Sequence, residues 1–210
     1  MNIKITDDFM PNEVFEEYEN IFKEIFWFTG KVLYEGATCD PSDNFMFSHI
    51  FYKKFKPQSE LYFKYIDPLL DKMQIQSLIA VKANLTTKTE KIIKHGFHTD
   101  YQYMVNGEPK ENNNCFTSIL YLNTNNGYTE FENGTKVESI KNRVVTFPIS
   151  YRHTGTTCTD KPFRSVISLV LGSRVISLQN WLSIPVGEST QRSIIVWKPM
   201  PLIVSSISIT

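Results

Sequence analysis

Apolar positions recur at helical spacing in the first part of the chain. After Pro11 the apolar residues on this repeat are Val14, Tyr18, Ile21, Phe22, Ile25 and Phe26. This period predicts a helix that follows a short strand at Ile3 to Ile5 and packs on a sheet. A second helical pattern covers about Glu60 to Met73 and is interrupted at Asp67-Pro68, where proline disfavours a continuous helix.

Further along the chain, the apolar residues come in short runs separated by turns rich in Asn, Gly and Pro. The predicted strands are residues 78–85, 97–104, 116–122, 127–131, 136–140, 143–147, 151–154 and 163–171. Many short strands after a helical start predict an α+β, mainly β fold, a double-stranded β-helix (jelly roll) with N-terminal flanking helices. We therefore expect a single domain with a flanking segment at 1–77, a jelly-roll core at 78–172 and a C-terminal extension at 173–210.

Two segments do not fit this regular pattern. The polar stretch from Asn106 to Asn114 predicts a mobile loop that could act as a lid. Residues 173–210 are rich in Ser, Ile and Val and hold four charged residues, so they are too apolar for a solvated tail. The alternatives for this extension are a hairpin that covers the barrel, a contact between copies of the chain and a tail from an unnatural reading frame, and the hazard of an exposed strand edge favours burial.

Composition limits the binding partners and the cell compartment that we expect for the protein. Lys plus Arg (22) equal Asp plus Glu (22), so the net charge gives no support for nucleic acid or for an anionic membrane surface as a partner. The three cysteines, Cys39, Cys115 and Cys158, are widely spaced and predict free thiols. With no signal-peptide pattern and no apolar run of membrane-spanning length, we expect a cytoplasmic protein.

The candidate chemistry centres on His98 and Asp100. If the stretch around them is a strand, residues two apart point to the same side, and the imidazole and carboxylate converge. The other histidines are His49, His95 and His153. His153, in a short predicted strand after a turn, is the best third ligand, and we interpret the other two as structural or surface residues. Two His and one carboxylate suit Fe(II) with open positions for other ligands, and tetrahedral zinc is the competing use of the same residues.

A basic residue lies eleven positions after His153. Arg164 shares one face of its predicted strand with Val166, Ser168 and Val170. A buried guanidinium without an acidic neighbour requires an anion, and a ligand carboxylate is its natural partner. This requirement favours an oxygenase that binds a carboxylate co-substrate over a hydrolase.

With these residues in this order, the stretch from Leu78 to Leu171 resembles the Fe(II)/2-oxoglutarate-dependent oxygenase superfamily, in its prolyl-4-hydroxylase-like branch. The resemblance implies that His98, Asp100 and His153 bind Fe(II) and that Arg164 pairs with the distal carboxylate of 2-oxoglutarate. It further implies an enzyme that uses O2 to hydroxylate a C–H bond, with release of succinate and CO2.

Two further residues follow from the same resemblance. Tyr121, in Tyr121-Leu122-Asn123, matches the tyrosine whose hydroxyl is a second donor to the co-substrate carboxylate. Ser168 matches a small polar residue near the co-substrate. The implied substrate is unknown, with a prolyl or other peptide side chain or a small molecule as the expectation. A cupin-like binding module without catalysis and a zinc hydrolase stay open as alternatives.

Overall fold

Short antiparallel strands make up most of the structure. The computed structural model describes residues 2–32, 34–75, 77–100, 103–105, 108–110 and 115–172. The strands are β1 (Lys4–Thr6), β2 (Phe28–Lys31), β3 (Phe45–Lys53), β4 (Lys56–Pro57), β5 (Leu78–Thr87), β6 (Tyr103–Val105), β7 (Glu108–Lys110), β8 (Phe116–Tyr121), β9 (Tyr128–Phe131), β10 (Lys136–Glu138), β11 (Val144–Pro148), β12 (His153–Gly155) and β13 (Phe163–Leu171). The α-helices are α1 (Asn12–Glu19), α2 (Ile21–Glu24) and α3 (Asp67–Met73).

The strands form one large and one small sheet and a separate hairpin. The large sheet has the order β1-β11-β8-β13-β5-β3-β2, with β4 paired to β3, and the small sheet has the order β10-β9-β12. Strands β6 and β7 pair with each other. The named strands of the described residues all pair antiparallel. The predicted mainly β fold is confirmed, and the two sheets fit a double-stranded β-helix.

The two faces of strand β13 have different surroundings, an apolar core on one side and a polar cavity on the other. Ile167 and Leu169 pack in the main core together with residues of the helices, Phe15, Tyr18, Ile21 and Leu69 among them. The alternate residues Arg164, Val166 and Ser168 line a cavity on the opposite face. The predicted common face of these three residues is confirmed, because a strand turns successive side chains to opposite sides.

The two helical segments differ from the sequence prediction in detail. The first is two short helices that meet at Asn20, and Val14 and Phe26 are exposed although their spacing placed them on the apolar face. The second is not broken at Asp67-Pro68. A π-helical turn, Tyr62–Ile66, leads directly into α3, and Pro68 lies in the first turn of α3, where its missing N–H is not needed.

The strand predicted over 97–104 is wrong for its first half. His98 makes a single bridge with His153 and the regular strand begins only at Tyr103. Within the polar segment predicted as a lid, Glu108–Lys110 forms strand β7, and its other residues lie outside the described residues. The extension at 173–210 also lies outside them.

Two further expectations concern the whole chain. Cys39, Cys115 and Cys158 are free thiols, as predicted. None of the helices in the described ranges has the length and apolar character needed to cross a membrane.

The N-terminal segment contributes more than flanking helices, because β1, β2 and β3 all join the large sheet.

Candidate active site

The structure brings His98, Asp100 and His153 together at one point. Nε2 of His98 lies 3.8 Å from Oδ1 of Asp100, and Nε2 of His153 lies 3.6 Å from Oδ2 of the same carboxylate. One ligand atom from each residue lies within 4.8 Å of the others. His153 begins β12, and the bridge between His98 and His153 draws the preceding loop against that strand. The bridge therefore helps to bring the imidazole of His98 to the carboxylate of Asp100, which the predicted strand was expected to do.

Hydrogen bonds to backbone carbonyl groups orient both imidazoles. Nδ1 of His98 lies 3.3 Å from the carbonyl oxygen of Gly96, and Nδ1 of His153 lies 3.1 Å from that of Tyr151. A carbonyl oxygen only accepts, so each Nδ1 donates and each Nε2 keeps its lone pair. Burial, reinforced by repulsion from His153, lowers the pKa of His98 to about 4. A neutral His98 is the form that binds a metal ion.

Asp100 completes the group of donors as a buried carboxylate. Burial by itself raises its pKa, but His153, Lys82 and His98 together outweigh that effect and hold the pKa below its ordinary value. Nζ of Lys82 is 3.9 Å from Oδ1. Oδ2 is buried and has no hydrogen-bond partner in the described structure. Such an oxygen is costly unless a cation binds it.

Arg164 is buried in the same cavity and has only hydroxyl partners. Its Nε donates to Oγ of Ser139 at 2.7 Å, and its Nη2 donates to Oγ1 of Thr129 at 3.2 Å. Among the described residues no carboxylate pairs with it. Burial accordingly lowers the pKa of the guanidinium from its usual value. A buried cation whose hydrogen-bond partners are only hydroxyls suits an anionic ligand.

The other two candidate residues lie in different surroundings. Ser168 lines the cavity on the strand of Arg164. Tyr121 is fully buried beside Arg164, whose Cζ is 5.6 Å from the ring centroid, but it does not line the cavity. Its hydroxyl donates to Oγ1 of Thr129 at 2.8 Å. Thr129 therefore accepts hydrogen bonds from both Tyr121 and Arg164, and it lines the cavity together with Arg164, whereas Tyr121 does not.

His95, which the sequence analysis interpreted as a structural or surface residue, belongs to the cavity wall. It is buried and lines the cavity, with Nδ1 2.6 Å from Oδ1 of Asn44 and a buried Nε2 that has no partner. Burial, with the charge of Arg164 as a second cause, lowers its pKa to about 4. His49, by contrast, lies outside the cavity lining and is 2.8 Å from the carbonyl oxygen of Phe26. Tyr34 and Thr129 were missed altogether, because isolated tyrosines and threonines carry no sequence signal.

The cavity that holds these groups, here the arginine cavity, has a volume of about 230 Å³. It is lined by His95, His98, Asp100, Thr129, His153 and Arg164, by the further polar residues Lys31, Lys82 and Asn84, and by apolar, aromatic and small residues around them. Two imidazoles and a carboxylate suit Fe(II) and, equally by donor type, zinc. The guanidinium adds a place for a carboxylate within the same cavity. The arrangement can hold a metal ion and an anionic ligand side by side.

Comparisons with known proteins agree with this fold. No protein-family model and no curated protein matches the sequence. A solved oxidoreductase of the 2OG-Fe(II) oxygenase family from Burkholderia pseudomallei matches 81% of this chain and 87% of its own, with a TM-score of 0.56 and 11% identity. A prolyl hydroxylase from Trichoplax adhaerens, in complex with a peptide of hypoxia inducible factor, matches 81% and 83%, with a TM-score of 0.54 and 14% identity.

A third similar structure is the viral collagen prolyl hydroxylase from Paramecium Bursaria Chlorella virus-1, solved with 2OG. It matches 82% of this chain and 96% of its own, with a TM-score of 0.50 and 13% identity. At identities this low, likeness of structure establishes the fold. This chain has the fold of the 2OG-Fe(II) oxygenases, prolyl hydroxylases among them.

Proposed function

We propose that the protein is an Fe(II)- and 2-oxoglutarate-dependent dioxygenase that hydroxylates a C–H bond. The observation that carries the proposal is that one cavity holds both a His-Asp-His group and a buried arginine without a carboxylate partner among the described residues. A hydrolytic zinc site needs the first feature but not the second. A co-substrate that chelates a metal with one end and carries a carboxylate at the other needs both.

The residues present fit these two groups. Asp100 Oδ2 is buried without a hydrogen-bond partner, and the Nε2 lone pairs of His98 and His153 are not used in hydrogen bonds to the backbone, so these three residues would hold Fe(II). Arg164 would hold the distal carboxylate of 2-oxoglutarate, with Thr129 and Ser139 fixing the guanidinium. When bound, Fe(II) and 2-oxoglutarate supply oxygen activation, so that O2 and 2-oxoglutarate give succinate, CO2 and a hydroxylated substrate.

The chain's own contribution is orientation and exclusion of water. Ile119 and Val166 supply apolar wall to the arginine cavity, and Arg164 is only 5% exposed, so its pairing with a carboxylate is strong in this environment. Ser168 lies on the same face and is proposed to contact the co-substrate directly. Tyr121 is proposed to act through Thr129, since its hydroxyl already donates there.

The first substrate class to test is a prolyl or other peptide side chain. The prolyl hydroxylase from Trichoplax adhaerens shares this fold and is bound to a peptide. This likeness supports a peptide substrate but leaves a small molecule as the alternative, because a fold of this kind hosts many substrates.

Anaerobic titration of the metal-free protein with Fe(II), followed by 2-oxoglutarate, tests the proposed function. We expect a visible charge-transfer band when the co-substrate chelates the iron. Asp100→Ala should remove the band by loss of iron, and Arg164→Ala should weaken 2-oxoglutarate binding while iron binding remains. The band should be followed by oxygen-dependent release of succinate when air is admitted.

The same titration separates the alternatives. If iron binds but no band forms, the co-substrate assignment fails and a cupin-like binding module becomes the better description. If hydrolytic activity appears with zinc and without O2 or 2-oxoglutarate, the hydrolase reading replaces the proposal. Retained 2-oxoglutarate turnover in His153→Ala would exclude His153 as a ligand.

A further inference from the structure

A second cavity adjoins the arginine cavity on the side of Ser168. This cavity, here the hairpin cavity, has a volume of about 400 Å³ and shares Lys82, Asp100 and Ser168 with the arginine cavity. Its other lining residues are mostly apolar, Ile50, Tyr52, Ile79 and Val170 among them. It extends to the turn between β3 and β4. A ligand in the hairpin cavity would reach the metal ligand Asp100 without occupying the place beside Arg164.

The turn at the far end of this cavity has an unusual backbone. Lys53 pairs with Lys56, so Lys54 and Phe55 form a two-residue turn, and their φ angles are 54° and 61°. Two left-handed residues in such a turn are normally Asn-Gly, because side chains with a Cβ are disfavoured there. Strain of this kind is often retained for function.

Gln58 fixes the turn in this conformation. Its Nε2 lies 3.1 Å from the carbonyl oxygen of Lys53 and 3.2 Å from those of Lys56 and Pro57. The turn presents Phe55 with 85% of its surface exposed. These hydrogen bonds therefore hold the turn in one conformation, which exposes an aromatic ring to solvent at the mouth of the hairpin cavity.

The charges at this mouth are positive and unpaired. Lys53, Lys54 and Lys56 are exposed and, within the described ranges, form no ion pair. Lys53, Lys54 and Lys82 line the hairpin cavity, and the one carboxylate that the described lining contains is Asp100. If Asp100 binds the metal ion, the positive charge of the lysines is left for a ligand. Charge complementarity thus calls for an anionic partner.

We propose that the hairpin cavity and the turn Lys53–Lys56 bind the primary substrate, and that this substrate is an acidic peptide segment. An apolar side chain of the peptide enters the cavity toward the metal, acidic residues beside it pair with the lysines, and Phe55 packs on the peptide outside the cavity. This inference rests on the proposed function, which supplies the metal and the reaction. It adds the class of substrate and the surface that selects it.

A peptide fits the observations better than the other anionic ligands. The exposed Phe55 and three lysines lie on the turn itself, beyond what a small molecule inside the cavity would contact. A nucleic acid also combines negative charge with stacking, but the chain has a net charge of zero and the cavity wall is aliphatic as well as aromatic. Single-stranded RNA is therefore included as a competitor in the test.

The test measures peptide binding by the full chain in the presence of Mn(II) and 2-oxoglutarate, without turnover. The probes are fluorescent short peptides with a central proline, flanked by acidic, neutral or basic residues, and their affinities are read by fluorescence anisotropy. We expect the acidic peptide to bind at least about tenfold more tightly than the neutral one, and the basic one not at all. Equal affinity for the three peptides, or tighter binding of a single-stranded RNA, would overturn the proposal.

Two variants test the role of the turn. Lys53→Glu with Lys54→Glu should weaken binding of the acidic peptide by at least about tenfold, whereas the same charge change at the exposed Lys91 and Lys161, which line neither cavity, should not. Lys54→Asn with Phe55→Gly should relieve the backbone strain and raise the melting temperature by about 2–4 °C. The same double variant should no longer bind the acidic peptide. Peptide affinity retained in the second variant, or lost in the control, contradicts the proposal.

The outcome can be separated from a failure of the proposed function. The variants of the turn should leave the charge-transfer band of Fe(II) and 2-oxoglutarate unchanged, because Lys53, Lys54 and Phe55 do not line the arginine cavity. A normal band with no preference for acidic peptides would overturn this inference alone. Absence of the band in the unsubstituted protein would instead overturn the proposed function.

Discussion

The ring of Tyr34 lies flat against the imidazole of His98, with ring centroids 4.1 Å apart and 7° between the planes. The loop before β3 holds Tyr34 in this position. Thr38 N donates to the carbonyl oxygen of Lys94 at 3.0 Å, and Lys94 N donates to Oγ1 of Thr38 at 2.8 Å. A Cβ on Gly96 would lie 2.6 Å from the carbonyl oxygen of Tyr34, so only glycine allows this approach. The stacked ring therefore limits the rotation of a proposed metal ligand.

Replacing this ring should weaken metal binding without unfolding the protein. Tyr34→Ala frees the His98 ring, and we expect Fe(II) affinity to fall by about tenfold, as for other residues that orient metal ligands. Tyr34→Phe keeps the stacking and should bind Fe(II) normally. Anaerobic Fe(II) titration of both variants is the measurement, and equal affinities for the Ala and Phe variants would show that stacking does not orient His98.

Gly127 gives room to the side chain of Arg164. A Cβ at this position would lie 2.6 Å from the carbonyl oxygen of Thr157 and 2.7 Å from Cδ of Arg164. Gly127→Ala should displace the guanidinium and weaken 2-oxoglutarate binding by about tenfold or more, with Fe(II) affinity unchanged. Gly30→Ala is the comparison at another glycine that lines the arginine cavity, since its Cβ would meet no protein atom within 4 Å. Isothermal titration with 2-oxoglutarate gives the comparison, and identical affinities in the two variants would contradict the expectation.

The sequence predicted the donors of the site better than the backbone that carries them. Residue type and spacing were enough to place Arg164, Val166 and Ser168 on one face, because the period of a strand is a local property. The strand expected around His98 is absent, since a single bridge to His153 replaces it. That bridge joins segments distant in sequence, and such a contact has no local signature.

His95 shows a second limit of the same reasoning. A lone histidine is usually structural, and its spacing from His98 gave no reason to place it in the cavity. Its position depends on Asn44, which lies 51 positions earlier and both accepts from its Nδ1 and donates to its carbonyl oxygen. A contact between residues so far apart in sequence, such as Asn44 and His95, can be identified only from the folded structure.

The burial of His95 predicts a loss of stability at acid pH. Its pKa is about 4 in the fold, below the value of about 6.5 expected in the unfolded chain, so the unfolded state binds more protons between these pH values. The unfolding free energy should therefore decrease as the pH falls from about 6.5 to 4, with a contribution from His95 of about 3 kcal/mol in total. His98 contributes in the same direction.

Urea unfolding of the metal-free protein at several pH values measures this effect. His95→Gln carries no titrating group, so its stability should fall less steeply with decreasing pH than that of the unsubstituted protein. The remaining slope then reports His98 and the carboxyl groups. Parallel pH profiles for the two proteins would mean that His95 is not buried as a neutral side chain.

Asn142 joins the segment before α1 to the turn that leads into β11. Its Oδ1 accepts from Met10 N at 2.9 Å, its Nδ2 donates to the carbonyl oxygen of Met10 at 2.7 Å, and its φ is 62°. Asn142→Ala leaves two buried backbone groups unpaired and places a Cβ in a left-handed conformation, so we expect a loss of about 2–4 kcal/mol in unfolding free energy.

Asn142→Gly separates the two causes of that loss. Glycine also removes both hydrogen bonds but adopts a positive φ freely, so its loss should be smaller than that of alanine by about 1 kcal/mol. Urea unfolding at neutral pH measures both variants against the unsubstituted protein. Equal losses of unfolding free energy would assign the whole effect to the hydrogen bonds with Met10. An alanine variant as stable as the unsubstituted protein would show that these hydrogen bonds do not hold the helical segment on the sheet.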